Sequence, residues 1–306
     1  MAEDVKFTKA ALLGVGLIGS SFARALRENT LAETIVGYDP NDAALERAKE
    51  IGFVDAVADS IAAAAAGADL IIIAAPVGAA ADIIDALAVT KTDALIIDVG
   101  SVKGAIVDAA GAKGAELSIV PCHPIAGTEQ SGPDAGFATL FHDRWCIITP
   151  LQGRDAAYAA NVEKAVALWR AVGSRVEVMD ARHHDLALAV TSHLPHLIAF
   201  TLVGAADDLE AVTEAEIVKY SAGGFRDFTR IAASDPVMWR DVFVANKDAV
   251  LEVLGRFTEE LAVLQRAVRW GDAETLEKSF ARGRALRRAI VDAGQETDEP
   301  NFGRDR

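Results

Sequence analysis

Of the six histidines in the chain, one stands in a setting suited to proton transfer. His123 lies in Pro121-Cys122-His123-Pro124-Ile125-Ala126-Gly127-Thr128-Glu129, directly after a short apolar run. An alcohol that loses a hydride must also lose its hydroxyl proton, and histidine is the side chain whose ordinary pKa suits that step near neutrality. The competing reading is a merely structural histidine. Ser101, in Gly100-Ser101-Val102-Lys103-Gly104, follows another apolar run and could exchange a hydrogen bond with the same hydroxyl. It could equally cap the next helix, a common use of serine. In Thr191-Ser192-His193-Leu194-Pro195-His196, His193 and His196 are three apart and share one helix face. No metal site is expected, because neither Cys122 nor Cys146 forms a Cys-x-x-Cys pair or lies near these histidines. A substrate-facing role or a plain polar face remains. Further on, Ser221-Ala222-Gly223-Gly224-Phe225-Arg226-Asp227-Phe228-Thr229-Arg230 offers two guanidinium groups to carboxylates, or ordinary surface ion pairs with Asp227 or Asp235. With 30 Lys+Arg against 45 Asp+Glu and a formal charge of −15, an anionic substrate needs such a local basic island.

A hydride also needs an acceptor, and the chain opens with a site for one. Gly14-Val15-Gly16-Leu17-Ile18-Gly19 follows an apolar run and starts a helical pattern from Ser20 to Arg27. In that setting the first glycine makes the tight turn, the second lets backbone approach a pyrophosphate, and the third lets helix and strand pack closely. The phosphates then meet the positive end of a helix. Asp39, 20 residues past Gly19, ends the second apolar run, where a carboxylate accepts hydrogen bonds from ribose hydroxyls. It would repel a 2′-phosphate, and no Arg or Lys follows before Arg47, so NAD is favoured over NADP. The bland alternative is a glycine turn with a helix-starting Asp39 before Pro40-Asn41-Asp42. The expected cofactor-contacting set is Gly14, Gly16, Leu17, Ile18, Gly19, Asp39 and Pro76.

These residues require a frame. Short apolar runs at Ala10–Leu13, Thr34–Tyr38, Leu70–Ala74, Leu95–Asp98, Ser118–Pro121 and Cys146–Thr149 alternate with Ala-rich helical stretches, the pattern of a parallel sheet covered on both faces. The expectation is an α/β Rossmann-type domain over 1–150, an all-α domain over 151–293, and a frayed polar tail over 294–306. Val250, Leu254, Phe257, Leu261, Leu264 and Val268 form one apolar stripe on a long helix, which serves either its own domain or a contact between subunits.

At 306 residues and 51% apolar content, the chain can fill two cores. A pI near 4.8 argues against nucleic acid and anionic membranes as partners. The most membrane-like stretch, Ile61–Ala81, is interrupted by Gly67, Asp69 and Pro76 and reads as two soluble elements. Two cysteines make no disulfide framework, and the start lacks a secretory pattern, so the expected location is cytoplasmic.

The segment Cys122–Phe141, CHPIAGTEQSGPDAGFATLF, continuing through Arg144-Trp145-Cys146-Ile147-Ile148-Thr149-Pro150, resembles the signature of the prephenate/arogenate (cyclohexadienyl) dehydrogenases of tyrosine biosynthesis. GVGLIGSS, DVGSVKG, TSHLPH and GGFRDFTRIAASDPVMWRD are similar to the same family, over about Ala10–Arg288. The resemblance implies oxidation of a ring carbinol with a nicotinamide cofactor and loss of the neighbouring ring carboxylate as CO2. It implies His123 as the catalytic histidine that accepts the hydroxyl proton and Ser101 as the serine bonded to that hydroxyl. Arg230 would anchor a substrate carboxylate, and His196, with His193 less surely, would touch substrate. Glu129 and Asp227 match gate or pocket positions, Gly223 matches pocket-lining backbone, and Trp239 matches a residue that dimers bring toward the neighbouring site. A helical dimerisation domain is implied, while neither a fused mutase before Gly14 nor a regulatory module after Ala293 is expected. Two alternatives stand beside it. A β-hydroxyacid or imine reductase would carry a catalytic Lys or Asp on the helical half. A catalytically silent nicotinamide sensor would not need His123, Ser101 and Arg230 together.

Overall fold

The computed structural model describes residues 5–90, 92–112, 117–128, 130–208, 216, 219–220 and 222–292. The chain up to Val250 forms one compact unit and the chain from Leu251 another.

The first unit is built on an eight-stranded sheet: β1 (Phe7–Leu13), β2 (Ala32–Tyr38), β3 (Ala56–Val57), β4 (Leu70–Ile73), β5 (Leu95–Asp98), β6 (Ile119–Pro124), β7 (Trp145–Ile148) and β8 (Arg175–Val178), in the order β3-β2-β1-β4-β5-β6-β7-β8. All neighbours are parallel except β6 and β7. β4 and β5, read from Leu-Ile-Ile-Ile and Leu-Ile-Ile-Asp, are buried at every position, as strands covered on both faces must be. The helices of this unit are α1 (Leu17–Glu28), α2 (Asp42–Ile51), α3 (Ile61–Ala65), α4 (Ala80–Ala88), α5 (Lys103–Ala112), α6 (Ala156–Ala171), α7 (Ala181–Leu188), α8 (Leu194–Asp207), α9 (Gly223–Thr229) and α10 (Pro236–Ala245). Asn41, Ser60, Asp155, Asp180 and Asp235 cap the helices that follow them through side-chain oxygens. Ile61–Ala81 does divide into separate elements: α3, β4, a 3-10 turn and the start of α4.

Three features differ from the sequence pattern. β3 is a two-residue, exposed edge strand with too few apolar residues to read. β7 is antiparallel to β6, because 3-10 turns and loops join them where a parallel neighbour needs a crossover helix. The added ladder also carries β6 past Pro121, so His123 lies inside the strand, opposite Ile147. The returning connection lies tight on α1: Phe137 N donates to Ser21 Oγ at 3.1 Å. Beneath it Phe22, Phe141 and Trp169 pack edge-on or tilted, with centroids 4.8–5.8 Å apart.

Between α7 and α8 the helix widens into a π-helical turn, Ala189–His193. Pro195 has no N–H to give the Thr191 carbonyl, so the ladder is already broken where the turn ends. By length and composition the run Ala181–Ala206 is apolar enough to cross a membrane, yet His184, Asp185 and His193 within it are buried and hydrogen-bonded.

α11 (Lys247–Trp270) and α12 (Ala273–Asp292) follow. In the second unit the apolar stripe is uneven: Leu254, Phe257 and Leu264 are half-buried, while Leu261 and Val268 are 52% and 69% exposed. Trp270, Phe280 and Leu286 are exposed as well. The expected tail, 294–306, lies outside the described residues.

Candidate active site

The glycine loop is a matter of steric necessity. A Cβ on Gly14, whose φ is +104°, would lie 2.4 Å from the Ala74 carbonyl oxygen, and one on Gly19 would lie 2.1 Å from the Gly14 oxygen. Gly16 differs, since a Cβ there would meet nothing within 4 Å. It stands at the N-cap of α1 without a side-chain hydrogen bond. The first amides of a helix have no intrahelical partner, so the half-buried Leu17 and Ile18 offer backbone donors beside open space, which suits a pyrophosphate. Asp39 is half-buried and tied to this loop: Oδ2 accepts from Val15 N at 3.1 Å and Oδ1 from Asn41 N at 2.9 Å. A carboxylate has lone pairs left for ribose hydroxyls. Helix capping falls to Asn41, not Asp39. The exposed Pro76 caps the 3-10 turn after β4, two residues past the Ala74 that bounds the loop. Arg47 is engaged by Asp134 at 2.7 Å and Glu50 at 3.0 Å. These residues fit a dinucleotide with a free 2′-hydroxyl.

At the carboxyl ends of β5 and β6, a buried ion pair fixes the loop that holds Ser101. Lys103 Nζ lies 2.5 Å from Asp98 Oδ2 and 2.6 Å from the Cys122 carbonyl oxygen. Asp98 also accepts from Gly100 N at 2.9 Å and Cys122 N at 3.1 Å. Burial pushes the Asp98 carboxyl up, opposed by Lys103 and those amides. The half-buried Ser101 is thereby stitched to the strand carrying His123. The first amides of α5, Lys103 N and Gly104 N, each donate to the Asp185 carboxylate at 2.8 Å, so α5 is capped from another helix.

His123 Nδ1 is 2.8 Å from His184 Nε2, and His184 Nδ1 is 2.8 Å from Asp185 Oδ1. Burial first, then the neighbouring His184, Lys103 and His193, hold His123 well below the usual histidine value, so it is neutral at pH 7. The network continues: Asn246 Nδ2 donates to the Asp185 carbonyl at 2.9 Å and to His193 Nδ1 at 3.0 Å. Burial lowers His193 to about 4, against the pull of Asp185. His196 stacks on Trp239 with centroids 3.7 Å apart, and His193 meets the same indole edge-on at 6.0 Å. The shared helix face read from the spacing is therefore a face on Trp239. His196 Nδ1 donates to the Ser192 carbonyl at 2.8 Å, and burial lowers its pKa. The buried Trp239 Nε1 has no partner among the described residues.

The structure thus joins His123, His193, His196 and Trp239 in one network and holds Ser101 beside it. Arg230 is half-buried at the start of a 3-10 turn packed on α8. Gly223 opens α9, and Asp227 on that helix is exposed and paired with Arg226 at 3.2 Å, the surface pair that the sequence left open. Glu129 lies outside the described residues. His184, Asp185 and Asn246 were not singled out from sequence. The doublet His183-His184 followed by Asp185 was the only local signal, and nothing in it distinguishes the buried His184 from the exposed His183.

Two family models cover most of the chain: the nucleotide-binding domain of prephenate dehydrogenase matches residues 22–178, and its dimerization domain matches 180–282. A cyclohexadienyl dehydrogenase from Zymomonas mobilis is 40% identical, over 93% of this chain and 96% of that protein. A prephenate dehydrogenase from Bacillus subtilis is 35% identical, over 88% of this chain and 72% of its own length. Among solved structures, prephenate dehydrogenase from A. aeolicus, in complex with hydroxyphenyl propionate and NAD+, superposes with a TM-score of 0.84 at 34% identity, covering 94% of this chain and all of that one. With a nucleotide-binding part and a dimerization part both matched in order, the chain belongs to the prephenate dehydrogenase family.

Proposed function

We propose that the chain catalyses the NAD-dependent oxidative decarboxylation of prephenate to 4-hydroxyphenylpyruvate, of arogenate to tyrosine, or of both, in tyrosine biosynthesis. The observation that carries this reading is His123. It is neutral and half-buried at the carboxyl end of β6, where doubly wound sheets place their ligands, in a chain whose relatives are cyclohexadienyl and prephenate dehydrogenases.

Bound NAD+ supplies the hydride acceptor. His123 takes the proton of the ring hydroxyl, and Ser101 shares a hydrogen bond with that hydroxyl. The glycine loop and Asp39 hold the dinucleotide, and the carboxylate of Asp39 with Arg47 already occupied disfavours a 2′-phosphate. Arg230 anchors a substrate carboxylate through charge-assisted hydrogen bonds. His196 and Trp239 form a stacked wall of the pocket, with His193 behind the same indole, and Gly223 and Asp227 serve its rim. Once the carbinol is a ketone, the ring carboxylate is vinylogously β to it, and loss of CO2 gives an aromatic ring. Aromatisation drives the reaction forward without a strong acid from the protein.

The division expected from the sequence is a dinucleotide-binding domain over 1–150 and a helical substrate and dimerisation domain over 151–293; because β8 joins the sheet and α6 packs on it, the boundary is better drawn near residue 179. The exposed Leu261, Val268, Trp270, Phe280 and Leu286 support a homodimer, to be checked by sedimentation. Two free buried thiols, Cys122 and Cys146, suit a cytoplasmic location. The deciding measurement crosses prephenate and arogenate with NAD+ and NADP+ in initial-rate assays. Turnover with NAD+ is expected, and the ratio of kcat/KM values ranks the two substrates. Silence in all four mixtures, with NAD+ binding intact, would overturn the reading.

A further inference from the structure

A general base must keep one lone pair toward its substrate, and a free imidazole does not decide which nitrogen holds the proton. Here the decision is made by a chain of hydrogen bonds that ends in backbone. Both oxygens of Asp185 accept amides at the start of α5, from Lys103 and Gly104. A carboxylate so held is an acceptor, so His184 Nδ1, 2.8 Å from Asp185 Oδ1, is the donor. With its ring proton committed to Asp185 at Nδ1, the buried His184 presents the lone pair of Nε2. That lone pair faces His123 Nδ1 at 2.8 Å, which therefore carries a proton and donates it. By elimination the free lone pair of His123 is on Nε2.

We propose that His184 and Asp185 are positioning residues that hold His123 as the Nδ1–H tautomer, with Nε2 unprotonated and fixed in direction to receive the proton of the substrate hydroxyl. The inference rests on the reading of His123 as the base. When Nε2 takes the proton, the new imidazolium still donates through Nδ1 to His184, and Asp185 offsets the charge two bonds away. The other charged or titratable groups around His123 are Lys103, paired with Asp98, and His193, both of which oppose a positive ring. Asp185 and His184 are then the pair that favours it. Because the same carboxylate caps α5, one side chain sets both the tautomer of His123 and the start of the helix that follows Ser101.

Asp185→Asn tests this directly. An amide can satisfy one backbone donor through its oxygen while its NH2 donates to His184 Nδ1, which inverts every later bond and places the His123 proton on Nε2. The expected result is a fall in kcat of about 10²–10⁴-fold, the usual worth of a positioned general base, with KM and the NAD+ dissociation constant within a few-fold. Nitrogen-15 NMR of the His123 ring should change from the Nδ1–H to the Nε2–H signature. Should Asp185→Asn not fold, His184→Gln and His184→Leu decide. Gln retains an acceptor for His123 Nδ1 and should keep most of the rate that Leu loses. Wild-type kcat in Asp185→Asn, an unchanged tautomer in a slow variant, or equal rates for His184→Gln and His184→Leu would each overturn the proposal. His123→Asn in the same assay separates the two readings. If it turns over normally, the base assignment has failed; if it alone is inactive, only the positioning role has.

Discussion

The glycine loop and the histidine network solve the same problem, holding a reacting group still, by opposite means. At Gly14 and Gly19 the solution is exclusion: the backbone passes so close to its neighbours that no side chain fits. Around His123 it is connection, in which each ring is fixed by a hydrogen bond to the next and the last ends on main-chain amides. Exclusion is local and written in a few consecutive residues. Connection gathers residues 61 and 82 positions apart, so its parts are individually unremarkable in sequence and its failures propagate.

The sharpest separation of the two comes from His123→Asn, which should lower kcat by about 10²–10⁴-fold while NAD+ affinity, measured by fluorescence titration, stays near wild type. A matching loss of NAD+ binding would show that the regions are not independent. Within the loop, Gly19→Ala and Gly16→Ala should part company. The first forces backbone to shift and should cost about 1–3 kcal/mol in denaturant melts. The second meets nothing in the protein and should leave stability within about 0.5 kcal/mol while raising KM for NAD+. Equal destabilisation would contradict the exclusion account.

Of the two regions, the histidine network is the one that acid should weaken. His193 titrates at about 4 when folded, below its ordinary 6.5, so the unfolded chain binds the extra proton between those values. Stability should therefore fall as pH drops from about 6.5 to 4, by roughly 3 kcal/mol from this group at 1.36 kcal/mol per unit, and His123 acts in the same sense. His193→Gln should flatten that part of a stability–pH curve; an unaltered slope would place the acid sensitivity elsewhere. Arg230→Ala is expected to raise substrate KM about 10–100-fold through a lost charge-assisted bond of about 1.5–3 kcal/mol, with kcat little changed. A variant with normal KM and poor kcat would move Arg230 from binding to chemistry.

The same contrast explains what could be read in advance. The glycines, Asp39 and the apolar strands announced themselves because spacing and burial on both faces leave a local trace. His123 was legible through the strand before it. The antiparallel β7 was not, since only the length and content of its connection distinguish it, and neither were His184 and Asp185. Their roles depend on α5 packing against α7, which no local pattern states. For Ser101 the sequence offered capping or chemistry, and a carboxylate 82 residues away from Lys103 takes the capping role.

The π-helical turn at Ala189–His193 has a consequence for residue counting. An i→i+5 turn holds one residue more than an α-turn, which swings everything beyond it by about 100° around the axis. His184 and Asp185 lie before that turn, and His196 lies after it. Deleting one residue between Ala189 and Ser192 would let the helix close into an ordinary α-helix of the same amino-acid character. His196 would then turn off the face of Trp239 while His184 still held His123. In this stretch chain length, rather than composition, is the inherited information, and an alignment of relatives should tolerate substitutions there far better than gaps.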